Sequence, residues 1–131
     1  MVHDLRELFH TLTHQFAFLD KNCCRISGQN ISLIQSHILY EIRRCDKPSV
    51  QQVADRLGMD ITTFSRQVQS LVKDNLVNKS PDLNDRRVFR LTLTELGERM
   101  AESIDNQVND YLEDVFSQMN AFEKETVLRS I

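Results

Sequence analysis

Between Thr62 and Lys73 the side chains Thr62, Thr63, Ser65, Arg66, Gln69, Ser70 and Lys73 offer hydroxyls, amides and cations, with no carboxylate before Asp74. The intervening Ile61, Phe64, Val68, Leu71 and Val72 recur at spacings of three and four, so on a helix the apolar set forms one stripe and the polar set faces away from it. A helix face rich in donors and free of carboxylates suits a polyanion. Arginine can pair bidentately with guanine and glutamine with adenine, which gives Arg66 and Gln69 base-reading chemistry. Thr62, Thr63 and Ser65 suit phosphates or thymine methyls near a helix N-terminus, where the backbone dipole favours anions. A second cationic feature follows at Asp85, Arg86 and Arg87. An arginine on a thin loop can enter a narrow minor groove, where A/T-rich DNA has enhanced negative potential. Asp85 is expected to orient the arginines, since a carboxylate is a poor ligand for phosphate. On charge alone such a tip reads as a solvated turn. Its place in the series of elements argues otherwise.

Other chemistries find little support. The chain has no glycine-rich phosphate loop, no metal-ligand cluster of convincing spacing and no nucleophile with a credible base, so an enzyme is not expected and neither is a cofactor. His10 and His14 lie one helical turn apart but lack a carboxylate or thiol at fixed spacing, so they read as partner-facing and no metal is expected. His37 is expected to be packed or hydrogen-bonded. Three cysteines, Cys23, Cys24 and Cys45, are an odd count in a chain without an export signal, which argues for reduced thiols. Cys23 and Cys24, beside Lys21 and Arg25, are candidates for redox sensing because neighbouring cations lower a thiol pKa. The plain alternative is reduced cysteines with no sensing role.

The elements that position these residues can be read along the chain. At 131 residues, 40% hydrophobic and 27% charged, a single globular domain is expected. No apolar run approaches the roughly 20 residues of a membrane span, and Met1 to Leu5 lacks a signal-peptide layout, so a cytoplasmic protein without membrane contact is expected. The net charge of −3 divides unevenly: Glu41 to Thr92 holds ten Lys/Arg against seven Asp/Glu, and the flanks hold six against twelve. A basic middle between acidic ends suggests that one region meets a polyanion.

Leu5, Leu8, Phe9, Leu12, Phe16 and Leu19 predict a first helix, and Ser27 to Asn30 reads as turn-like. Ser32 with Gln35 and Ser49 with Gln52 are capping boxes that open two further helices, the first ending before Pro48 and the second at Gly58. Ile34, Ile38, Leu39 and Ile42 form the apolar face of one; Val50, Val53, Ala54 and Leu57 form that of the other. Asp60 caps the helix that carries Arg66. From Leu76 the period changes to two, giving a hairpin of Leu76 to Lys79 and Val88 to Leu93 with the basic tip between them. Thr94 caps a long helix, and a last one begins near Asn120.

Helix, helix, short turn with Gly58, helix and two-stranded wing is a helix-turn-helix with a wing, a unit that places its second helix in a DNA major groove. From about Ile31 to Gly97 the sequence resembles the MarR family of winged-helix regulators. The resemblance rests on Ile31 to Gln35 with Ile38-Leu39, on Val53 to Leu57, on Thr63 to Arg66 with Leu71, on Asp85-Arg86-Arg87, and on Leu93 to Gly97. Two positions depart from the family pattern: Asn75 stands where glycine is usual and Lys79 where arginine is usual. Asn tolerates the left-handed conformation, so the turn should survive.

The fold expected is mainly α with a small β-hairpin wing. Residues 1–131 form one domain, with 31–94 as the winged helix and 1–30 and 95–131 as dimerisation helices implied by the resemblance. The resemblance also implies a homodimer on a near-palindromic operator, with Thr63, Ser65 and Arg66 on the recognition helix, Asp85 holding the wing and Arg87 in the minor groove. A repressor that releases double-stranded DNA on meeting a small-molecule effector or oxidant is the function expected. The rival is a winged-helix module for protein-protein assembly, which would show little salt dependence.

Overall fold

The computed structural model describes Arg6, Arg25, Ile26 and residues 29–130. Arg6 is helical; the rest of the helix expected from Leu5 to Leu19, with His10 and His14, lies outside the described residues, as do Cys23 and Cys24. No helix among the described residues is long and apolar enough to cross a membrane.

The described elements run β1 (Arg25–Ile26), β2 (Gln29–Asn30), α1 (Leu33–Arg44), α2 (Val50–Arg56), α3 (Ile61–Lys73), β3 (Val77–Pro81), β4 (Phe89–Leu93), α4 (Glu95–Ser117) and α5 (Ala121–Ser130). This is mainly α architecture with a small β wing. Each helix start has a local cause. Ser32 and Ser49 form complete capping boxes, their hydroxyls accepting from Gln35 and Gln52 N–H while each Gln side chain accepts from the cap N–H. Asp60 caps α3 and Thr94 caps α4 through Gly97 N–H.

Helix ends are equally local. Gly58 lies at φ +63, with Met59 N–H donating to Ala54 O and Gly58 N–H to Asp55 O, the paired bonds of a Schellman stop. Asn75 does the same for α3 at φ 61, with Leu76 N–H to Leu71 O and Asn75 N–H to Val72 O. The departure from glycine is thus accommodated as asparagine chemistry allows.

One core joins these pieces. Ile38, Leu39 and Ile42 from α1, Val53 and Ala54 from α2, Phe64, Val68 and Leu71 from α3, Leu76, Val77 and Leu91 from the wing, and Met100, Ala101 and Ile104 from α4 are all buried. Full burial of a side chain such as Phe64 or Leu71 contributes about 1.5–3 kcal/mol, so the three contacts of α3 fix its rotation about its own axis. Three apolar positions assigned to buried stripes depart from the expectation: Ile34, Ile61 and Val72 are 47%, 43% and 40% exposed. Each stands at the margin of its stripe, where the period allows burial but the neighbouring element does not reach. His37 is exposed rather than packed. Of the stretch expected to be turn-like, Ser27 to Asn30, Gln29 and Asn30 instead form a strand, with Arg25 opposite Asn30 and Ile26 opposite Gln29, and Ser27 and Gly28 lie outside the described residues.

The wing is antiparallel, with Val77 opposite Leu93, Lys79 opposite Leu91 and Pro81 opposite Phe89. A third segment lines its free edge. Leu91 N–H donates to Pro48 O at 2.9 Å and Ser49 bridges to Arg90, so the stretch before α2 is sewn to β4. At the other end Thr94 N–H donates to Leu76 O, and a Cβ on Gly97 would lie 2.0 Å from that carbonyl oxygen. Only glycine lets α4 begin so close to the wing.

Candidate nucleic-acid interface

Thr62, Arg66, Gln69 and Lys73 follow at intervals of four, three and four, so they stack along the side of α3 opposite Phe64, Val68 and Leu71. All four are exposed, as are Thr63 and Ser70 on one shoulder, while Ser65 is half-buried on the other. The outward face therefore carries two cations, an amide and hydroxyls on a helix held by its core contacts.

The shoulder residues are partly committed. Asp60 accepts from Thr62 N–H at 2.9 Å and from Thr63 N–H, and the Thr63 hydroxyl also donates to its carboxylate. These bonds, led by the Thr63 hydroxyl and then the Thr62 N–H, hold the Asp60 carboxyl below the usual carboxylate range. The Thr62 and Thr63 N–H groups at the start of α3 are thus engaged by the chain's own carboxylate, while the Thr62 side chain stands exposed. Ser70 Oγ accepts from Gln35 Nε2 at 3.4 Å, which ties α3 to the start of α1.

Beyond the strands, the wing turn is built on two carboxylates. Asp82 Oδ2 accepts from Asn84 N–H and Asp85 N–H, each at 3.1 Å, and its other oxygen accepts from Arg90 Nε at 3.1 Å. Arg90 also donates through Nη1 to Lys47 O at 3.3 Å. Asp85 Oδ1 accepts from Arg87 N–H at 3.0 Å and Arg87 Nε at 3.2 Å. The Arg87 side chain is nonetheless 92% exposed, and Arg86 is exposed beside it. Lys79 Nζ sits 4.7 Å from the centroid of the Phe89 ring, at the distance of a cation–π contact.

Sequence reasoning passed over Asp82 and Arg90. An Asp two and three residues before turn N–H groups is a legible signal for the Asx-type turn at Asp82. Its partner Arg90 is visible only once the strand register is known. Cys45, half-buried at the end of α1, lies 3.7 Å from Arg56 Nη1. Among the described residues no group of three or more His, Cys, Asp or Glu is placed to hold a metal.

Comparison with known proteins agrees with this geometry. Residues 31–89 match the model of the MarR family. The chain is 24% identical over 104 residues to the uncharacterized HTH-type transcriptional regulator YybA of Bacillus subtilis, a match covering 78% of this chain and 69% of that protein. It is 27% identical over 89 residues to the HTH-type transcriptional regulator SarZ of Staphylococcus epidermidis, covering 68% of this chain and 57% of SarZ. Among solved structures, Streptococcus pneumoniae FabT in complex with DNA superposes with a TM-score of 0.85 at 19% identity, over 97% of this chain and 92% of FabT. The reduced form of MarR from E. coli gives 0.78 at 22% identity, over 98% and 94%. The segment 31–89 thus matches the MarR-family model, in a chain that shares the overall fold of these solved structures.

Proposed function

We propose that the protein is a cytoplasmic transcriptional regulator, a repressor that binds a near-palindromic operator in double-stranded DNA as a homodimer and releases it when a small molecule or oxidant binds. The observation that carries this reading is the outward face of α3, where Arg66, Gln69 and Lys73 stand in solvent on one stripe, together with a second exposed cationic element, the Arg86-Arg87 tip of the wing. In this reading Arg66 and Gln69 read base edges, Thr62, Ser65 and Lys73 meet the backbone, and Thr63 holds the helix cap. Arg87 enters the minor groove, Arg86 lies beside it and Asp85 orients the tip.

The domain layout follows the same logic. Residues 31–94 hold the reading head, and 1–30 with 95–131 pair two copies. Among the described residues no side chain beyond Ile104 is fully buried, and Phe122 and Leu128 on α5 are 78% and 53% exposed. A second copy would cover that apolar surface. That FabT is solved with DNA supports the assignment of a DNA partner.

Fluorescence anisotropy with the DNA upstream of its own gene, read at several salt concentrations, tests the proposal. A protein that displaces counterions from phosphates loses affinity linearly in log–log with salt, with a slope of about −0.9 per contact. Saturable binding with a steep negative slope is expected. Absence of binding, or a flat slope, would favour a winged-helix protein-protein module instead.

A further inference from the structure

Arg90 stands on β4 beside the buried Leu91, and its guanidinium is turned inward on two acceptors rather than outward. One is Asp82 Oδ1 at 3.1 Å, the other the backbone carbonyl of Lys47 at 3.3 Å. The remaining oxygen of Asp82 holds Asn84 N–H and Asp85 N–H, and Asp85 in turn holds the backbone and guanidinium of Arg87. At the other end of the chain of contacts, Lys47 precedes Pro48 and Ser49, which pair with β4 and cap α2. The segment before the α2 cap and the wing tip are therefore joined through the Arg90–Asp82 pair.

From this arrangement we infer that Arg90 is a positioning residue: acting through Asp82, it sets the direction in which the wing presents Arg87 to DNA relative to α3. The inference rests on the DNA-binding reading above. Charge-assisted hydrogen bonds are shorter and stronger than neutral ones, which suits a tie that must hold a thin loop. Arg90 is also the first cause of the lowered Asp82 carboxyl, so the carboxylate is ionised and the tie intact at neutral pH. A residue that bound phosphate itself would instead direct its donors outward. Here Nε and Nη1 are instead turned to acceptors of the protein itself.

The test is a double-mutant cycle read by anisotropy on the upstream DNA: wild type, Arg90→Gln, Arg87→Ala and the two together, each checked for an unchanged thermal midpoint. Arg90→Gln is expected to weaken binding roughly threefold or more, with the salt slope unchanged, and to have no further effect once Arg87 is alanine. Asp82→Asn should reproduce the loss, and combined with Arg90→Gln it should not add. Amide exchange at Asn84 and Asp85 should quicken in both variants. Equal losses in the two Arg87 backgrounds, or a slope reduced by about one contact, would make Arg90 a phosphate ligand and overturn the inference. Unchanged affinity or unchanged exchange would also overturn it. If wild type binds no DNA, the functional reading fails by itself, and the exchange measurement still decides whether Arg90 holds the tip.

Discussion

Arg66 and Lys73 carry the same charge on one stripe of α3, yet contact chemistry separates them. A guanidinium can grip two acceptors of one guanine, whereas an ammonium acts as a point charge. Arg66→Ala is therefore expected to cost about 1–3 kcal/mol of operator binding and to relax preference at one base pair. Lys73→Ala should weaken all sequences alike and lower the salt slope by about one. Anisotropy against a panel of single-base operator variants separates the two, and uniform loss for Arg66→Ala would deny it a base-reading role. The carboxylates behave differently again. Asp60 and Asp82 are both held below the usual carboxylate range, Asp60 first by Thr63 and Asp82 first by Arg90. A group with a depressed folded pKa contributes stability that is present above its unfolded value and lost as pH falls through the folded one. The gap in thermal midpoint between wild type and Asp60→Asn or Asp82→Asn should thus be steady at neutral pH and close in acid. A gap independent of pH would contradict the hydrogen-bond account.

The helices and wing were legible where their causes are local. Ser32, Ser49, Asp60 and Thr94 announced four helix starts because a cap needs only a side chain and N–H groups two or three residues on. The tie between Arg90 and Asp82 was not legible, since it spans the register of a hairpin, and the Lys47 carbonyl is 43 positions away. Ile61 and Val72 show the same limit, because their period fits burial but no element among the described residues covers them. Two glycines are required for different reasons. Gly58 lies at φ +63 with open space around a would-be Cβ, so Gly58→Ala should cost about 1–2 kcal/mol and Gly58→Asn less, as Asn75 already adopts that conformation. Gly97 has ordinary backbone angles but no room beside Leu76 O, so Gly97→Ala should cost about 1–3 kcal/mol through overpacking where α4 meets the wing. Denaturant unfolding measures both. If Gly97→Ala were neutral, the close approach would not be needed.

For the molecule as a whole, the charge pattern and the core divide the chain at similar places. The described core ends at Ile104, and the basic surplus lies between Glu41 and Thr92, so the segments that follow are acidic and bury little within one copy. Two reading heads joined through such segments would meet DNA twice on one face, about 34 Å apart, the repeat of one helical turn. A hydroxyl-radical footprint on the upstream DNA tests this most directly. The account predicts two protected patches one turn apart, each with a flanking minor-groove protection that Arg87→Ala removes while the central protection stays. A single patch, or protection indifferent to both Arg66 and Arg87, would contradict it.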